Sequence, residues 1–155
     1  MKQSAFLSIC YFCLFLLTAF QCEQKEEIYP ESTCTAHATL RGTWRLEAYQ
    51  TLATGALDID PDPKGRGRVF TFSEENSTGK ISGHTVANTV FGSYQRADSC
   101  RLESVAFGGT KVGERSIWSA RVGAAMSNVS HFGQANDRLY LYYNNRSERV
   151  IFRKY

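Results

Sequence analysis

Gly79–Gln95, GKISGHTVANTVFGSYQ, decides how the rest of the chain is read. It presents two short strands around a tight connection, with Gly83 and Gly92 at positions suited to positive φ or to close approach of two backbones. Asn88, between them, tolerates a left-handed turn or bonds its own backbone. Upstream, Arg68–Ser73 alternates Phe70 and Phe72 against Val69 and Thr71. Lys80–Gly83 then returns to pair with it as a hairpin across a turn at Glu74–Gly79. Earlier still, Gly42–Tyr49 alternates Trp44, Leu46 and Ala48 against Arg45, Glu47 and Tyr49, the period-2 pattern of a half-buried strand.

Downstream, Ser99–Phe107 reads as a strand in which Leu102, Ser104 and Ala106 alternate against Arg101, Glu103, Val105 and Phe107. After Gly108-Gly109 the period changes. Trp118, Val122, Ala125 and Val129, widened by Ile117, Ala124 and Met126, predict an amphipathic helix over Glu114–Ser130, with Glu114 complementing the dipole at its start. His131–Asn136 reads as a short strand or a connection. Arg138–Asn144 and Glu148–Tyr155 close the chain as strands joined at Asn144–Ser147, with Leu139, Leu141 and Tyr143 on one face and Tyr140 and Tyr142 on the other. The expected fold is mainly β, an antiparallel curved sheet or partial barrel of about seven or eight strands with one amphipathic helix packed on it.

The N-terminus belongs to a different problem. Lys2 precedes an almost wholly apolar run, Ala5–Phe20, which is shorter than the ~20 residues a membrane-spanning helix needs and has the layout of a secretory signal. Leu17-Thr18-Ala19-Phe20-Gln21-Cys22 resembles a bacterial lipobox, in which Cys22 would become the lipidated first residue. Gln21 stands where the usual lipobox has Gly, Ala or Ser, as in the looser lipoboxes of Bacteroidota. Cys22-Glu23-Gln24-Lys25-Glu26-Glu27 resembles the Lys-acidic-acidic signal that takes lipoproteins of that phylum to the outer face of the outer membrane. The resemblance implies a lipoprotein signal at 1–21, attachment to the outer membrane through a lipid on Cys22, and a mature chain whose residues 22–39 form a flexible polar tether to a domain at 40–155. A soluble secreted protein and an uncleaved anchor are the alternatives.

Cys10 and Cys13 lie inside the signal, so their spacing is not a redox motif. Cys34 and Cys100 remain, as a disulfide in an oxidising compartment or as two free thiols. The 18 Lys and Arg against 15 Asp and Glu leave a balance too small to point to nucleic acid or an anionic membrane surface.

Residues with chemical potential are scattered. Asp58, Asp60 and Asp62 open like a calcium loop, but Pro63 replaces the turn glycine and Val69 falls where a bidentate Glu belongs, so Thr51–Gly67 reads as a solvated turn. Lys64–Arg68 is basic without the interleaved aromatics of a nucleic-acid patch. His37, His84 and His131 have no ligand spacing, and no metal or cofactor is expected. Ser82 and His84 are neighbours in sequence only, and no catalytic residue is assigned; an enzyme is not expected. Tyr140, Tyr142, Tyr143 and Tyr155 read as cross-strand aromatics that stabilise a sheet, with the lining of a binding surface as the alternative. Asn76-Ser77-Thr78, Asn128-Val129-Ser130 and Asn145-Arg146-Ser147 match the glycosylation pattern, relevant only in a eukaryotic source.

The order Gly42-x-Trp44-x-Leu46, Phe70-x-Phe72, then Gly83-(x)4-Asn88-(x)3-Gly92-x-Tyr94 resembles the META domain, the family of the heat-shock protein HslJ. That family's motif reads Gly-Cys-Asn followed by Phe-x-Gly-x-Tyr. This chain keeps Asn88, Phe91, Gly92 and Tyr94 but has Ala87 at the Cys position, and the second family Cys, near Thr110–Gly113, is also absent. Cys34 and Cys100 would then be a replacement staple. The resemblance implies a helix between β-meander halves and a structural role for Gly42, Trp44, Gly83, Asn88, Phe91, Gly92 and Tyr94. It also implies a non-catalytic lipoprotein acting in binding, envelope stress or assembly, with a protein or small molecule as partner. A rival reading is a lipocalin-like carrier, because Gly42-x-Trp44 and a late Arg149 or Arg153 also resemble that family; it predicts an apolar cavity of roughly 300 Å3 or more. A hydrolase would need a cleft joining His84 or His131 to an acid.

Overall fold

The computed structural model describes residues 29–35 and 38–155; the expected signal at 1–21, Cys10, Cys13, the expected lipidation site Cys22 and His37 lie outside them. In chain order the elements are β1 (Gly42–Thr51), β2 (Leu57–Ile59), β3 (Val69–Glu75), β4 (Thr78–His84), β5 (Thr89–Arg96) and β6 (Leu102–Gly109). The helix α1 (Ile117–Ser127) follows, then β7 (His131–Ala135), β8 (Arg138–Tyr143) and β9 (Glu148–Lys154). The strands form one antiparallel sheet in the order β6-β5-β4-β3-β1-β9-β8-β7, with β2 beside β1. His131–Asn136, left open above, supplies β7.

The sheet curls until its ends meet. An antiparallel bridge joins Arg101 to His131, and the backbone bonds Leu102 N to Ser130 O (2.7 Å) and Phe132 N to Cys100 O (2.9 Å) complete a nearly closed eight-stranded barrel. The contact is brief because β6 meets β7 only at the start of each, as the stagger of tilted barrel strands requires. Helix α1 packs along β6 beyond this point. On the β7 side, residues 29–35 do the covering. Thr33 exchanges two backbone bonds with Gln134 (3.0 and 3.1 Å), Ser32 bonds the Tyr142 hydroxyl (2.5 Å), and Cys34 is disulfide-bonded to Cys100 with Cα atoms 5.8 Å apart. Tyr29 and Ala38 are buried. This part of the chain, expected within the 22–39 tether, is thus built into the barrel, because it satisfies a strand edge that would otherwise be exposed.

The interior is filled by side chains. Leu46, Phe70, Phe72, Leu139, Leu141 and Phe152 meet Val122, Ala125 and Met126 of α1 in one cluster. Phe152 packs edge-on to Phe70 and Phe72 at centroid distances of 5.6 and 6.4 Å, a preferred aromatic geometry. A smaller cluster of Tyr29, Ala48, Tyr140 and Ile151 lies outside the main core.

Two face assignments made from alternation are corrected, both at bulges. In β1 the register against β9 shifts between Leu46 and Ala48, so Tyr49 joins Trp44 and Leu46 in the main core while Ala48 turns to the outer cluster. In β6 Gln95 faces Glu103 while Ser93 faces Ala106, so an extra residue on β6 sends Val105 and Phe107 onto the core and leaves Ala106 exposed. A bulge inserts one residue and inverts the alternation beyond it, which period counting cannot see. The helix is also shorter than the predicted Glu114–Ser130. Ser116 is its N-cap, accepting from Ser119 N at 3.1 Å, and Asn128 ends it. Ile117, assigned to the apolar stripe, is 90% exposed on the first helical position.

Candidate functional site

The turn between β4 and β5 holds the most connected polar group of the motif. Asn88 N donates to Thr85 Oγ1 (2.9 Å), and Thr85 N donates to Asn88 O (2.8 Å), a side-chain-assisted turn that orients the Asn88 amide outward from its own hairpin. The amide then grips the segment between β6 and α1. Asn88 Nδ2 donates to Val112 O (2.8 Å), and Asn88 Oδ1 accepts from Val112 N (2.7 Å) and Thr110 Oγ1 (3.0 Å). Asn88 therefore bonds neither in a left-handed turn nor only to its own loop. It fastens residues 110–114 across the barrel end.

Glu114 is drawn into the same network and does not serve the helix dipole, for the first turn of α1 contains no acidic residue. Its Oε1 accepts from Asn88 Nδ2 (2.7 Å) and from Thr85 Oγ1. Burial pushes the Glu114 carboxyl up, but the hydrogen bonds from Thr85 and Asn88, with the Ser119 hydroxyl nearby, outweigh it, and the pKa lies below the usual 4.5. Beside the carboxylate is a cavity of about 280 Å3 between the β5–β6 pair and α1. Thr85, Asn88, Glu114 and Ser119 form its polar side, and Val90, Phe107 and Val122 its apolar side. Glu114 Oε2 and Ser119 Oγ are both buried without a hydrogen bond of good geometry.

The other motif residues lie apart from this cavity. Tyr94 is buried and donates to Ser73 O (3.2 Å); burial, then the Glu74 carboxylate, raises its phenol well above the ordinary value. Trp44 donates from Nε1 to Leu40 O (2.8 Å), with the Lys154 ammonium 4.7 Å from its ring, beside Gly42. A Cβ on Gly83 would collide with the Val69 carbonyl, and one on Gly92 with the Ala106 carbonyl. Phe91 is 63% exposed.

The loop read as solvated is a second polar node. Asp60 and Arg68 have side chains only 2% and 3% exposed and pair at 3.1 Å, with Arg45 at 3.7 Å from the other Asp60 oxygen. Arg68 also bonds Asp62 O (2.8 Å), stacks 5.4 Å from the Trp118 ring centre, and adopts φ 60°. A left-handed arginine persists where its surroundings over-determine it. These carboxylates are thus occupied by arginines, and the Lys64–Arg68 run ends in a buried residue. Neither His84, which is exposed, nor His131, whose pKa burial and then Arg146 and Arg101 lower, lines the Glu114 cavity.

Thr85 and Ser119 were missed by sequence reasoning. Thr85-x-x-Asn88 is a recognisable side-chain turn signal, and Ser119 is a hydroxyl set inside an apolar stripe of Trp118, Val122, Ala125 and Met126.

No protein-family profile and no curated protein matches this sequence. Two solved structures are similar in fold. A protein from Burkholderia xenovorans, solved by NMR, is 22% identical over 83% of this chain and 97% of its own, with a TM-score of 0.58. A DUF4847 family protein from Bacteroides vulgatus is 18% identical over 74% of this chain and 92% of its own, with a TM-score of 0.51. At these identities the likeness establishes a shared barrel-like fold.

Proposed function

We propose that the chain is exported and anchored by a lipid on Cys22 at the outer membrane, where its META-like barrel acts in binding or assembly and not in catalysis. The observation that carries this reading is the Cys34–Cys100 disulfide, which closes a 66-residue separation; such bonds form and persist in oxidising compartments, which supports export. It lies a short distance after the lipobox-like Cys22, so the anchor would hold the barrel close to the membrane surface. The filled interior supports the META-like reading over the lipocalin-like carrier, whose ligand needs the space that Phe70, Phe72 and Phe152 occupy. The groups that do converge, Thr85, Asn88, Glu114 and Ser119, include none that titrates near neutrality, which favours binding over proton transfer.

Intact-mass spectrometry of the protein from its native host, before and after reduction, tests this. A chain beginning at acylated Cys22 that gains the mass of two hydrogens on reduction is the expected result. An unacylated chain cut elsewhere overturns the anchor.

A further inference from the structure

We infer that the cavity between β5–β6 and α1 binds a small aliphatic primary ammonium ion, its nitrogen seated between Glu114 Oε2 and Ser119 Oγ and its alkyl body against Val90, Phe107 and Val122. The inference rests on the reading of the barrel as a binding protein and is independent of the lipid anchor.

Two buried polar atoms that make no hydrogen bond of good geometry line one cavity. Ser119 is 1% exposed, and its hydroxyl and Glu114 Oε2 both lack a hydrogen bond of good geometry. The two atoms face one another without meeting in good geometry, and a buried polar group left short of a full partner is costly, so the pair marks a place for a donor. The donor should carry positive charge. Glu114 is ionised at neutral pH, and among the described residues no Lys, Arg or His comes within ion-pairing distance of it.

The geometry also chooses among cations. Glu114 Oε1 is saturated by Asn88 and Thr85, which leaves one carboxylate oxygen. That suits a point-charge ammonium better than the two-pronged guanidinium fork. A metal would need several hard ligands, and no cluster of three His, Cys, Asp or Glu residues exists among the described residues. A water molecule would fill about 30 Å3 and carry no charge; the cavity is about 280 Å3 with an apolar wall, enough for a short alkyl chain.

The test is a titration of the full-length mature protein, labelled with nitrogen-15, with n-butylammonium, 1-butanol and butyrate. Saturable shifts at the amides of Ser119, Gly109 and Gly123 are expected with butylammonium, with 1-butanol binding at least about tenfold more weakly and butyrate not at all. Glu114→Gln should weaken butylammonium about tenfold and abolish its preference over butanol, and Ser119→Ala should weaken it about threefold. If Glu114→Gln does not fold, the comparison of probes on the wild type and the Ser119→Ala variant decide the matter. No saturation up to about 0.1 M, equal affinity for butanol, or shifts confined to other parts of the barrel would overturn the site. Any of these leaves the lipid anchor standing, because the mass measurement decides that separately.

Discussion

The two sides of the barrel seam are fastened by different means. On the β7 side, Thr33 and Gln134 exchange backbone bonds and Cys34–Cys100 adds a covalent link. On the β6 side, α1 and the segment before it are held by side chains: Asn88 to Thr110 and Val112, Thr85 to Glu114, Arg68 to Trp118, and Arg121 to Asp58 at 3.1 Å. The first fastening uses up its polar groups. The second leaves Glu114 Oε2 and Ser119 Oγ open to a cavity. A covalent, strand-paired edge reads as a staple, whereas a polar clasp with unused capacity reads as a place where something binds.

The comparison breaks most sharply at the staple. Cys34→Ala with Cys100→Ala should cost roughly 4 kcal/mol, from the unfolded-chain entropy that a loop of this length restrains, seen as a lower urea midpoint with an unchanged barrel spectrum. Reduction of the wild type should reproduce it. On the α1 side, Arg68→Met leaves the buried Asp60 carboxylate without its closest partner and should cost about 3 kcal/mol, with a change in the fluorescence of Trp118 as its cation is withdrawn. Asn88→Ala should cost about 2 kcal/mol, and should speed hydrogen exchange at Val112 while leaving Gln134 protected. That contrast separates the two fastenings.

The smallest effect is a pH dependence confined to the clasp. Glu114 has a folded-state pKa below its usual 4.5, so its contribution is present above that pH and fades as the pH falls through the folded-state value. A stability profile below pH 4.5 that is shallower in Glu114→Gln than in the wild type is the expected result; identical slopes would remove Glu114 from the clasp.

The parts of this arrangement differ in how openly the sequence declares them. The β3–β4–β5 hairpins alternate without interruption, and Phe70, Phe72, Ile81 and Val90 are buried where period 2 puts them. The close approaches at Gly83 and Gly92 were also legible, since a missing Cβ is a local property. Tyr49 and Phe107 were placed on the wrong faces because each follows a bulge, where one inserted residue inverts the alternation. Asn88 was singled out, but its partners at 110–114 are about two dozen residues away and no local pattern names them. Ser119 carried a faint signal as a hydroxyl in an apolar stripe.

Sequence by itself determined a mainly antiparallel β protein, the placing of one helix after Gly108-Gly109, and the pairing candidates Cys34 and Cys100. Those features are written in nearest-neighbour patterns of apolar residues, turn formers and cysteines. Tertiary structure alone decided that the sheet closes through Arg101 and His131, that residues 29–35 complete its edge, and that Glu114 leaves the helix dipole for Thr85 and Asn88. Each of these depends on which distant backbone or side chain offers the missing hydrogen-bond partner, and that choice exists only once the strands have been brought together.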